Sequence, residues 1–269
     1  MAIQDQFGRI GFFEDFLGIA AAATISDATA GTRYNDVCLV AISGDVAMDH
    51  TVDEAGGVVS FSGAAGAGDG VALIGSPLRP STNGTIVTGG RFKASAVTDY
   101  RVFVGFASTA SLSETVNPFT LSGTTLTANN AGEAVGFYYD TQATTDDMRF
   151  MSSTAGVADT TATVYDQYGT KTTLGSLGLR CNATIAADTY MVYRIEIDND
   201  GTVRGWFGDE SMGRNKAPIR IGTLAAGTMT TTSHYFPLMF LAEQSTGDPT
   251  HEVDYFYAFG SRDWDGTQP

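Results

Sequence analysis

Two cysteines, three histidines and seven prolines in 269 residues narrow the chemistry open to this chain before any pattern is considered. Cys38 and Cys181 lie far apart, with no CxxC pair and no Cys/His cluster, so neither a structural zinc nor any other metal or cofactor is expected. In the absence of a secretion signal, both thiols are expected to be free and buried. Basic residues are scarce too: 15 Lys and Arg stand against 30 Asp and Glu, a formal charge of −15. Nucleic acid and anionic membranes both call for clustered Lys and Arg, so neither is an expected partner. The charge reads as a soluble, self-repelling surface.

Long apolar runs are also missing. No stretch of 18 or more apolar residues occurs, so no transmembrane helix is expected. The small, apolar "GIAAAATISDATA" follows "GFFEDFLG", where Glu14 and Asp15 interrupt the run behind the single basic residue Arg9. No signal peptide is expected there. There is no GxSxG turn for a nucleophilic serine. The Gly-rich "SGAAGAGDG" (62–70) lacks the Lys-Ser/Thr and the helix of a phosphate loop, so it reads as a loop between strands.

What is present, in place of helical periodicity, is a succession of short alternating or continuous apolar runs closed by Gly, Asn, Asp or Thr. Strands are expected at 36–42, 57–63, 70–76, 85–95, 100–108, 133–140, 148–154, 161–170, 190–198, 201–209, 235–245 and 252–263. So many strands exceed one small sheet and imply two packed layers, an all-β antiparallel sandwich. Residues 31–269 are expected to form that single domain, with 1–30 as an N-terminal arm. The arm clusters Phe7, Phe12, Phe13, Phe16 and Leu17, which must dock on something: the chain's own sandwich, a neighbouring subunit or a larger shell. "PLMFLAE" and "VDYFYAF" are apolar on both faces and need cover on both, from the chain's own loops or, as favoured here, from a partner subunit in a homo-oligomer.

The series "GGVVSFSGAAGAGDGVALIGSPLRPSTNGTIVTGGRFKAS" (56–95), "DYRVFVGFAS" (99–108), "GEAVGFYYD" (132–140), "YMVYRIEIDNDGTVRGWFG" (190–208) and "THEVDYFYAF" (250–259) resembles the concanavalin A-like, or laminin-G-like, jelly roll of many tailed-phage structural proteins. The likeness covers roughly 30–262 and rests on the order of strands and turns. It implies a jelly-roll sandwich and a non-enzymatic virion protein assembled in the host cytoplasm. The expected role is capsid decoration, or cement, on the outer capsid surface, with the major capsid protein or other virion proteins as partners. The alternative is a glycan-binding module of a tail or fibre; a weaker one is a glycoside hydrolase. Fold alone does not choose among them.

The hydrolase reading turns on Glu196, Asp198 and Asp200, which alternate along one strand. A retaining glycosidase needs two carboxylates about 5 Å apart. The glucanase branch of the fold carries E-x-D-x-E, but here the third position is Asp200, directly before Gly201. "DNDG" between two β-rich segments predicts a hairpin turn with Asp200 at its tip. No catalytic residue is therefore expected, and D-N-D-G offers too few oxygens for a calcium loop. A His234/His251/Glu252 cluster would require two strand ends to meet. Of Phe137, Tyr138, Tyr139, Trp206, Phe207, Tyr235 and Phe236, alternation predicts that about half face outward, where they are open to a sugar or a protein.

Overall fold

The computed structural model describes residues 9–16, 23–26, 31–51, 57–63, 68–109, 117–129, 132–143, 145, 147–181, 185–209, 218–244 and 250–261. Alternating burial is the plainest expression of the sequence: along Met191–Ile197 every second residue is buried, as a strand with one wet face requires. Numbered along the chain, the strands assemble into two large antiparallel sheets.

The larger sheet runs β16 (Lys171–Thr173), β15 (Thr163–Asp166), β20 (Ile219–Leu224), β19 (Val203–Asp209), β18 (Met191–Ile197), β8 (Ile86–Ala94), β22 (His251–Ser261), β6 (Val59–Gly63), β5 (Val46–His50), β2 (Ala23–Ile25). The strand β1 (Arg9–Glu14) pairs with β22 beyond the end of β6. The second sheet runs β14 (Val157–Ala158), β13 (Arg149–Thr154), β12 (Ala134–Asp140), β9 (Tyr100–Ala107), β21 (Phe236–Glu243), β7 (Gly70–Gly75), β4 (Val37–Ile42), β3 (Thr32–Tyr34), with β17 (Leu179–Arg180) beside β13. A hairpin of β10 (Phe119–Ser122) and β11 (Thr125–Ala128) stands apart, and α1 (Pro80–Asn83) is a single helical turn. Among the described residues no helix is long and apolar enough to cross a membrane.

Between the sheets lies the main core, where Phe61, Phe92, Tyr193 and Phe256 face Val102, Phe106, Phe137 and Leu241. The outer face of the second sheet is apolar as well, and here the structure answers the question of cover. Phe119 of the β10–β11 hairpin packs on Phe103 at 5.6 Å and on Tyr138 at 5.9 Å between ring centroids. Together with Leu121 it closes a second cluster over Leu238 and Phe240 of "PLMFLAE". One of the chain's own loops supplies the cover for which a partner subunit was favoured.

The N-terminal aromatics divide. Phe12 is 6% exposed and meets Phe256 edge-on at 5.3 Å, while Phe16 is fully buried against Tyr34 at 6.0 Å. Both dock inside this chain's own core. Phe13, one residue on from Phe12, points the other way and is 44% exposed. Phe7 and Leu17 lie outside the described residues. Cys38 and Cys181 are free thiols, the first partly and the second fully buried. Burial raises both thiol pKa values.

Candidate functional site

The expected hairpin is present. β18 and β19 pair from Met191↔Asp209 to Ile197↔Val203, and Asp198-Asn199-Asp200-Gly201 turns between them. Gly201 N–H donates to the Asp198 carbonyl at 3.0 Å, and Gly201 sits at φ 80, a left-handed conformation that glycine adopts at little cost. Asp200 is exposed at the tip and accepts the Thr202 N–H at 2.9 Å, which lowers its carboxyl pKa below the usual range. The tip is braced from outside: Gly227 N–H donates to the Asp200 carbonyl and Met229 N–H to that of Gly201. Glu133, just ahead of β12, in turn accepts hydrogen bonds from the Thr230 and Tyr235 hydroxyls.

Glu196 and Asp198 are each engaged by arginines. Glu196 accepts two hydrogen bonds from Arg194, at 2.8 Å from Nε and 2.5 Å from Nη2, and lies 3.6 Å from Arg204. Asp198 is held by Arg204 at 2.6 Å and by the Thr85 hydroxyl at 2.9 Å. That hydrogen bond to Asp198 raises the Arg204 pKa above its ordinary value. The three carboxylates thus serve an ion-pair network and a turn.

That network belongs to the outer face of the larger sheet. Register brings five segments into one line across the strands. Phe13 (β1) pairs with Tyr257 (β22), Tyr257 with Gly89 (β8), Gly89 with Arg194 (β18), and Arg194 with Trp206 (β19). Gly89 is required by close approach: a Cβ there would stand 2.4 Å from the Tyr257 hydroxyl, so the tyrosine leans across it toward Arg194. Burial raises the Tyr257 phenol pKa, and the neighbouring Arg194 opposes the shift. Phe13 stacks on Tyr255 and Tyr257 at 5.7 and 6.2 Å, and Tyr257 stacks on Phe259 at 5.9 Å. The Arg194 guanidinium stands 5.8 Å from the Trp206 ring centroid and 6.0 Å from that of Phe259. Beside it opens a cleft of about 410 Å³, floored by Val87 and walled by Phe259, Arg194, Glu196 and Asn199.

Further along the same face, Arg91 lies 3.7 Å from the Tyr190 ring centroid and pairs with Asp254 at 2.5 Å; Lys93 pairs with Glu252 at 2.9 Å. "VDYFYAF" is therefore not covered on both faces. Its Tyr255, Tyr257 and Phe259 are half-buried on the outer surface.

Of the aromatics singled out from the sequence, Phe137, Tyr138, Tyr139, Phe207 and Tyr235 are core. Trp206 reaches this face, and Phe236 is partly buried on the second sheet. The sequence reading missed Arg194, Tyr257 and Phe259; the alternation Tyr255-x-Tyr257-x-Phe259 was the signal available. His251 turns into the core while Glu252 faces out and His234 is exposed. Among the described residues no group of three or more His, Cys, Asp or Glu is placed to hold a metal ion.

Comparison with known proteins defines the class. A protein of unknown function from Shewanella oneidensis MR-1 aligns with a TM-score of 0.59 at 11% identity, over 100% of this chain and 92% of that one. A Lotus tetragonolobus seed lectin aligns with a TM-score of 0.50 at 11% identity, over 90% of this chain and 98% of the lectin. At such identities the likeness is one of fold: a concanavalin A-like jelly-roll sandwich of the kind seen in legume lectins. No family model matches the sequence, and no curated protein resembles it in sequence.

Proposed function

We propose that this chain is a non-catalytic glycan-binding module whose recognition surface is the outer face of the larger sheet. The observation that carries the reading is the line from Phe13 through Tyr257 and Arg194 to Trp206, aromatic at both ends and polar between. Sugar rings present apolar C–H faces, which stack on aromatics, and hydroxyl edges, which need paired donors and acceptors. The Arg194–Glu196 pair offers both within one hydrogen bond's reach. Lectins are among the proteins that share this fold, which is compatible with the reading without deciding it.

A place on a virion is part of the same proposal, supported by the phage-type order of strands and turns. Of the two virion roles, a tail or fibre module fits better than a capsid cement. A cementing arm must be free to dock on the shell, whereas Phe12 and Phe16 are already in this chain's own core. A glycan array probed with the wild type and with the double variant Tyr257→Ala/Trp206→Ala tests the reading. Binding that the double variant abolishes is expected. An array with no wild-type binder, or one on which the double variant binds equally, overturns it.

A further inference from the structure

We infer that the ligand is a linear, uncharged glycan lying across the strands, from Tyr257 over the Arg194–Glu196 pair to Trp206; this rests on the glycan-binding reading above. Tyr257 and Trp206 stand on β22 and β19, three strand intervals apart with β8 and β18 between them. At about 4.8 Å per interval their backbones stand roughly 14 Å apart, and because Tyr257 leans over Gly89 the rings are closer by up to about one interval, a span of about two to three pyranose units and well beyond a single ring. Along the paired line β8 contributes only Gly89, over which Tyr257 itself leans, and β18 contributes Arg194 with its partner Glu196. The surface therefore reads as stacking, hydrogen bonding, stacking, in the order in which a chain of sugars would meet it.

The uncharged class follows from the ion pairs along the line between Tyr257 and Trp206; Arg220 of β20 lies beyond its Trp206 end. Each of the four cations of β8, β18 and β19 already has an acid: Arg91 with Asp254, Lys93 with Glu252, Arg194 with Glu196, and Arg204 with Asp198. A uronate or sulfate could reach one of these cations only by displacing its carboxylate, which would be left uncompensated on a half-buried face. A chain with a net charge of −15 adds long-range repulsion to any anion. Neutral hydroxyls can share the existing donors and acceptors without breaking a pair.

Calorimetric titration with gluco-, manno- and xylo-oligosaccharides of one to six units, alongside trigalacturonate and a heparin hexasaccharide, tests this. Affinity for one neutral series is expected to rise at least tenfold from monomer to trimer and to level off by the tetramer. Trp206→Ala is expected to lower trisaccharide affinity about tenfold while leaving the disaccharide within about twofold. Trp206→Phe, which preserves packing, is expected to recover most of the loss. Equal affinity at every length, or preference for the acidic probes, overturns the inference and leaves glycan binding standing. No binding to any probe overturns both. Sedimentation equilibrium showing a dimer that Trp206→Ala dissociates assigns the face to a second copy of the chain, which also overturns both.

Discussion

His251 allows the core to be tested by acid. The imidazole opens β22 facing inward, 2% exposed, and is stacked on Tyr100 at 5.5 Å with 22° between the planes. Its Nδ1 meets no hydrogen-bond partner among the described residues. Burial lowers its pKa to about 3. In the unfolded chain the same group titrates near the ordinary histidine value of about 6.5, so below that pH the unfolded state binds a proton that the native state refuses. Its contribution to stability is therefore fully present above pH 6.5 and is lost as pH falls from there toward 3. At roughly 1.4 kcal/mol per pH unit, the step from pH 6.5 to 4.5 removes about 3 kcal/mol. Against a total of about 5–15 kcal/mol for a typical fold, that is a large share.

The assay is urea denaturation followed by circular dichroism at pH 7, 6, 5 and 4.5, for the wild type and His251→Phe. Phenylalanine keeps the stacking on Tyr100 and removes the titration. Carboxylates contribute equally to both proteins, so the difference between the two curves isolates the imidazole. The wild type should lose about 3 kcal/mol more than the variant between pH 7 and 4.5. Parallel curves would mean that the imidazole is protonated or solvated in the native state, and the inward placement of His251 would be wrong.

Neighbouring residues of β1 should behave in opposite ways. Phe12→Ala empties a core site and should cost about 3–5 kcal/mol in denaturant midpoint measurements, whereas the half-exposed Phe13→Ala should cost about 1 kcal/mol or less. Equal effects would show that the segment is not seated on β22 in this register. Gly201→Ala forces a left-handed alanine, and its Cβ would stand 2.4 Å from the Met229 carbonyl oxygen. A loss of about 2 kcal/mol or more in thermal unfolding is expected, and a neutral outcome would refute the tight turn.

Much of both sheets was legible locally. Every one of the twelve expected strands has its counterpart, from β4 at Val37–Ile42 to β22 at His251–Ser261. Apart from β20, which lies between β15 and β19, and β1 and β5, the strands not foreseen are two to four residues long, where pairing to a neighbour, not residue preference, makes the strand. β5 is different, because its alternation was readable: Val46 and Met48 are buried, Ala47 and Asp49 exposed. β1 was hidden because its aromatics read as an arm seeking a partner.

The candidate site was legible only in fragments. Trp206 drew notice as an aromatic and Glu196 as a possible acid, but what matters is the residue opposite each of them. Alternation within "MVYRIEI" decides which side chains share a face, and "DNDG" decides where the strand reverses, because both are set by the chain's immediate geometry. The line from Phe13 to Trp206 joins β1, β22, β8, β18 and β19; β18 and β19 form one hairpin, but long stretches of chain separate it from β8, β8 from β22, and β22 from β1. Backbone hydrogen bonds are alike for every pair of residues, so register over such distances is chosen by packing of the whole core. The sequence by itself determined the faces and the turns. Only the tertiary structure decided which faces meet, and so set the arginine–carboxylate pairs of the β18–β19 hairpin on one surface with Tyr257 and Phe259 of β22.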